Sequence, residues 1–242
     1  MSLMAGFPLK CNEFLCNDSV NLFQLFEKEH IIMRKIFLST VILNPINTKN
    51  PSKYCSRDLE LADKPYLFPI SYLVDANISA DDEIVIITGM NQTDTPKENY
   101  KHLVAEVQQI LDEHHAKGEF IVVDELDVNA DRDYLDSLSF STFMKEVADL
   151  IQDGDQIYAD MTYGLKSYTL AMFIAMNYVV KACRNVEIKQ MIYAQFYRGD
   201  NDAPSTIDII DITTLFRINS IVNQATPGKK QEMDQLLSFM IG

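Results

Sequence analysis

From residue 33 onward, short β-branched runs alternate with longer stretches whose apolar residues recur every three or four positions. Ile36-Phe37-Leu38-Ser39-Thr40-Val41-Ile42 predicts a buried strand, and residues 66–73 predict a second, short one. A third strand is expected over 84–88. Leu103, Val104, Val107, Ile110 and Leu111 keep helical spacing, which predicts a helix over 99–115 with Gly118 as its stop. Further strands are expected at 120–123 and 155–159, and further helices at about 141–152 and 168–182. Residues 186–196 and 206–212 read as an antiparallel strand pair. Two short helices, 215–223 and 230–240, flank Pro227-Gly228.

Strands alternating with helices predict an α/β fold built on a doubly wound, mainly parallel sheet, with helices on both faces and a terminal antiparallel strand pair. Three segments are expected: an N-terminal extension over 1–32, the α/β domain over 33–215 and a short helical segment over 216–242. In the first, Asp18 or Ser19 could cap a helix bearing Leu22, Phe23, Leu25 and Phe26. Met1-Ser2-Leu3 ahead of Met4 reads as an expression scar, and Met33 is a second candidate start. Residues 44–63, rich in Asn, Pro, Ser and Lys, are expected to form a loop that closes the ligand edge of the sheet or meets a partner.

Composition narrows the field of functions. Of the 242 residues, 47% are hydrophobic and 23% charged, which is ordinary for a folded soluble chain. A net charge of −14 argues against a surface for long DNA or RNA, but not against a small phosphorylated ligand in a local basic pocket. No run approaches the ~18 apolar residues of a membrane span, and a cytoplasmic location is expected. Cys11, Cys16, Cys55 and Cys183 lack metal-ligand spacing and read as small, buried, reduced thiols. Neither a metal nor a cofactor is expected.

One octet carries most of the chemistry: Asp160-Met161-Thr162-Tyr163-Gly164-Leu165-Lys166-Ser167. It follows a strand and opens an apolar helix, so its backbone N–H groups and the helix dipole converge on one spot. Lys166 could pair with a phosphate oxygen there, and Thr162 and Ser167 could donate to it. The plainer alternative is a surface lysine beside a helix that Ser167 caps. The octet is not a Walker loop, and no Gly-x-Gly-x-x-Gly follows any strand.

The octet resembles the Asp-x-Thr-His-Gly-x-Arg-Ser signature of CRISPR-associated Rossmann-like (CARF) domains, with Tyr163 in place of histidine and Lys166 in place of arginine. The acidic stretch 124–136, Asp153-Gly154-Asp155-Gln156-Ile157-Tyr158 and Ile209-Ile210-Asp211-Ile212-Thr213 fall in the same order as in that family. The resemblance implies an antiviral-defence protein of a type III CRISPR system: a homodimer binding cyclic tetra- or hexa-adenylate across its two-fold axis. Ligand-binding residues would be Ser39, Thr40, Thr88, Gly89, Met90, Asp160, Thr162, Tyr163, Gly164, Lys166 and Ser167.

The same resemblance implies either a sensor or regulator, or a metal-independent ring nuclease in which a ribose 2′-hydroxyl attacks the neighbouring phosphate. Lys166 would then neutralise developing charge, and Ser39 or Thr40 would position the hydroxyl. His102, His114 and His115 fall on or at the end of a helix and read as exposed or capping. No effector nuclease domain is expected after residue 216. Two alternatives stay open: a metal-dependent nuclease using Asp160, Glu187 and Lys189, and a nucleotide-binding transcriptional regulator whose terminal helices dock on a partner. Asp81-Asp82-Glu83 and Asp124, Glu125 and Asp127 read as solvated turns, Asp131, Arg132 and Asp133 as a mobile loop or lid. Met172, Phe173, Met176 and Tyr178 read as core or dimer packing.

Overall fold

The computed structural model describes residues 33–48, 53–61, 64–125, 137–197 and 206–241. Every described residue belongs to one compact unit, Ile32–Gly242. The expected N-terminal helix, Asp127, and Asp131 to Asp133 lie outside the described residues. Seven strands form one sheet: β1 (Arg34–Thr40), β2 (Lys53–Cys55), β3 (Glu83–Asn91), β4 (Lys117–Glu125), β5 (Gln156–Asp160), β6 (Glu187–Tyr197) and β7 (Thr206–Asp211). Among the described residues six helices accompany them: α1 (Pro69–Asn77), α2 (Asp94–Glu113), α3 (Ser137–Asp149), α4 (Lys166–Ala182), α5 (Thr213–Val222) and α6 (Lys230–Ile241). The order β2-β7-β6-β5-β1-β3-β4 is parallel except between β6 and β7. This is a Rossmann-like α/β fold.

Side chains alternate between the two faces of each strand, so the core divides in two. Ile36, Leu38, Val85, Ile87, Ile157 and Ala159 pack under α3 and α4 with Phe143, Tyr168, Met172 and Met176. Phe37, Ile84, Ile86 and Tyr158 pack under α1 and α2 with Leu73, Leu103 and Val107. Met172 and Met176 are therefore core, whereas Tyr178 is exposed. From β1 the chain visits the edge strand β2 and returns through α1 to β3 on one side of β1; from β5 it crosses through α4 to β6 on the other side. The crossover helices α1 and α4 cover opposite faces there, and this switch point is where open α/β sheets hold ligands.

Several elements depart from the sequence expectations. Residues 69–77 form a helix, not a strand: Pro69 sits at its first position, and Ile70, Tyr72, Leu73 and Val74 are buried on every side. A short helix covered all round leaves an unbroken apolar run, which imitates a buried strand. The stop of α2 is His115, at φ 55°, rather than Gly118, which lies within β4. Gly118 is small for a different reason: a Cβ there would stand 2.8 Å from Leu111 Cδ1. Within the expected loop 44–63, residues 53–55 form β2 and pair with β7 at the sheet edge. Cys55 is exposed rather than buried. Asp82 is not a solvated turn residue, since its carboxylate accepts from Lys35 Nζ at 2.7 Å and from the Ser79 N–H at 2.8 Å.

Candidate functional site

At the carboxyl end of β5 the octet turns sharply into α4. Gly164 has φ +86°, a conformation that favours glycine. A Cβ at this position would stand 2.9 Å from Thr40 Cβ and collide with the Thr40 hydroxyl. That hydroxyl donates to the Tyr163 carbonyl, and Thr169 Oγ1 donates to the same carbonyl at 3.2 Å. The turn is thus latched to the end of β1 on one side and to α4 on the other.

Much of the octet's polarity is consumed by the fold. Asp160 is 1% exposed and accepts from the Thr162 N–H at 2.9 Å, as well as from the Thr162 hydroxyl and the Ile70 N–H in the first turn of α1. Burial nonetheless raises its carboxyl to about 6, against the lowering effect of those hydrogen bonds. Thr162 Oγ1 also accepts from the Ala194 N–H at 2.8 Å. The expected donation by Thr162 to a phosphate, and direct ligand contact by Asp160, are therefore replaced by structural bonds. Glu106 of α2 completes the cap of α1, accepting from the N–H groups of Leu67 (2.6 Å) and Phe68 (3.2 Å) and from the Ser71 hydroxyl (2.5 Å).

What remains open is the start of α4. Leu165 is its N-cap and has no oxygen to offer, so no side chain caps this helix. Ser167 stands inside the first turn and does not serve as the cap. Lys166 is exposed and makes no ion pair among the described residues. An uncapped helix start beside an unpaired lysine, at the switch point, favours an anion. The Tyr163 ring, by contrast, packs against Phe196 at 5.8 Å between centroids, and burial pushes its hydroxyl far above the usual range. It offers no base near neutral pH.

The other expected site residues reach the same sheet edge but not the same face. Ser39 and Thr88 are register neighbours across β1 and β3, fully buried, and neither hydroxyl has a hydrogen-bond partner among the described residues. By alternation they face the α1–α2 layer with Asp160 and Met90, while Thr40 and Gly89 face α3 and α4 with the turn. Thr40 cannot position a ribose hydroxyl with a proton already given to Tyr163; Ser39 keeps its own.

The metal-nuclease set does not assemble. Asp160 pairs with Ile192 on β6, whereas Glu187 pairs with Gln156 at the opposite end of the strands, about 13 Å away at 3.3 Å per residue. Lys189 instead bonds Glu187 at 3.2 Å on the surface. His114 is also structural, 2.8 Å from Asp75 in a cluster with Tyr66 and Lys64.

Glu125 is the residue the sequence reading misplaced. Expected in a solvated turn, it ends β4 with 1% exposure, and neither carboxyl oxygen has a hydrogen-bond partner among the described residues. Extending the period of two through Ile121 and Val123 puts Glu125 on the core face, and that signal was present in the sequence. Burial alone raises its carboxyl to about 7.

The outer side of α4 shows a second feature. Leu170, Ile174 and Tyr178 recur every four residues and are 59%, 47% and 55% exposed. With Phe140 and Met144 of α3, Leu170 and Ile174 line an apolar groove of about 190 Å³ that begins at Ser167. No helix among the described residues is long and apolar enough to cross a membrane. No protein-family model matches the chain, and no curated protein matches it.

Proposed function

We propose that this protein binds a cyclic oligoadenylate at the carboxyl edge of its sheet, as a homodimer, and acts as a CARF-type sensor or regulator or as a metal-independent ring nuclease. The observation that carries the reading is the uncapped start of α4, with Lys166 exposed beside it and unpaired among the described residues, on a turn latched by Thr40 at the topological switch point. Two such helix starts, related by a two-fold axis, suit the repeated phosphates of a symmetric ring. The exposed Leu170-Ile174-Tyr178 stripe begins one turn further along α4, and a second copy of the chain is its proposed occupant.

In the ring-nuclease form, the 2′-oxygen attacks the adjacent phosphorus and the bond to the 5′-oxygen breaks. The products are a 2′,3′-cyclic phosphate and a 5′-hydroxyl that receives the proton. Lys166 and the first N–H groups of α4 stabilise the charge gathering on the phosphoryl oxygens. Thr40 acts by holding the turn rather than the ribose, and Ser39, buried on the other face of the sheet from α4, takes no part in the step.

The test is incubation with labelled cyclic tetra- and hexa-adenylate in EDTA, following both retention and linear products. Binding that weakens about tenfold or more in Lys166→Ala supports the site. Cleavage that disappears in the same variant assigns the ring-nuclease form, and retention without cleavage assigns the sensor. Absence of binding to either ring refutes the reading.

A further inference from the structure

Glu125 is buried at a strand end with both carboxyl oxygens unpartnered, a costly arrangement that an apolar residue of similar size would avoid. Its surroundings are specific. A Cβ added to Gly89 would stand 3.1 Å from Glu125 Oε1 and 2.9 Å from Phe143 Cζ, so the carboxyl lies over bare glycine backbone and beside an aromatic ring. Phe143 in turn packs edge-on against Tyr168, in the first turn of α4, at 4.9 Å between centroids. The carboxyl is therefore linked through two rings to the proposed phosphate site. Two strand spacings, about 10 Å, separate β4 from the Thr40 end of β1. That is the reach of one nucleotide from its phosphate to the far edge of its base.

A protonated carboxyl presents a donor beside an acceptor. The adenine edge presents the complement, a ring nitrogen that accepts beside an amino group that donates. We propose that Glu125 is a specificity-determining residue that reads the amino edge of an adenine base, against Phe143 and over Gly89, while the phosphate of the same nucleotide lies at the start of α4. This assignment rests on the cyclic-oligoadenylate reading and adds to it the group that recognises the base.

The protonation state it requires is the one the site favours. Among the described residues, Gly89 of β3 and Phe143 of α3 lie against the carboxyl and Asn91 of β3 is its register partner, none of them charged, and burial raises it to about 7. An ionised carboxylate would instead accept twice, the pattern that guanine donates.

The experiment uses the full chain with two rings, cyclic tetra-adenylate and its analogue built on purine riboside, which lacks the amino group. Calorimetry at pH 6 and pH 8.5 reads affinity. Wild type is expected to prefer the adenine ring by about tenfold or more and to lose roughly tenfold or more of that affinity at the higher pH. Glu125→Gln, whose amide offers the same donor and acceptor, should keep the preference and lose the pH dependence. Glu125→Leu should bind both rings alike, with its fold checked by circular dichroism. A preference retained in Glu125→Leu, or affinity of the wild type rising with pH, overturns the assignment of Glu125 while leaving the cyclic-oligoadenylate reading standing. Failure of wild type to bind either ring overturns both.

Discussion

Glu125→Gln should change the pH dependence of folding before any ligand is added. In the unfolded chain this carboxyl ionises near 4.5; in the fold, burial holds its proton to about 7. The folded state thus keeps a proton that the unfolded state has released. Ionisation of Glu125 adds no penalty below 4.5, that cost grows as pH rises, and the loss is complete above about 7. Between those limits the cost amounts to about 3 kcal/mol. Glutamine carries the same shape without the ionisation, and its own packing and hydrogen-bond costs do not vary with pH. The stability of Glu125→Gln relative to wild type should therefore rise by about 3 kcal/mol between pH 4 and pH 8.5, whichever protein is the more stable at pH 4. Urea unfolding of both proteins at several pH values measures it. A difference that stays constant within about 0.5 kcal/mol over that range would refute an ionisable, desolvated Glu125, as would one that shrinks as pH rises.

Further expectations follow from the turn and from the outer face of α4. Gly164→Ala forces a side chain onto Thr40 at positive φ, and a loss of about 2 kcal/mol or more is expected in urea unfolding, with part recovered in the double variant Gly164→Ala/Thr40→Ala. Asp160→Ala leaves the buried N–H groups of Ile70 and Thr162 without their acceptor and should cost about 1–3 kcal/mol, whereas Lys166→Ala should shift stability by less than about 0.5 kcal/mol. If a second copy covers α4, Leu170→Glu/Ile174→Glu should convert the dimer to a monomer in light scattering without lowering monomer stability, because both side chains are already exposed.

The sheet was legible because its central strands are unbroken apolar runs separated by helical periodicity, and the octet was legible because strand, glycine turn and helix follow directly. What escaped was set by partners distant in sequence. α1 is buried from Pro69 to Val74 because it lies under Tyr54, Tyr66 and the sheet, a circumstance local pattern does not encode. The roles of Thr162 and Asp160 were misjudged because their hydrogen-bond partners, Ala194 and Ile70, lie 32 and 90 residues away. Glu125 was misjudged for the opposite reason. Its acidic neighbours, Asp124 and the stretch that follows, drew it into a polar segment, although its own register on β4 placed it inside.

The latch between Thr40 and the turn has a mechanical consequence. Beyond Thr40 the chain runs into 41–44, where the Asn99 side-chain amide grips the Ile42 and Asn44 carbonyls at 2.8 and 2.9 Å. Asn99 belongs to α2, on the opposite layer of the sheet from α4. A hydrogen-bonded tether therefore runs from α2, around the end of β1, to the first turn of α4, and a pull at either end is felt at the other. A ligand meeting that turn finds it already held in place, and little of its binding energy is spent on ordering the loop. Asn99 thereby helps to set the stiffness of a turn on the opposite layer of the sheet.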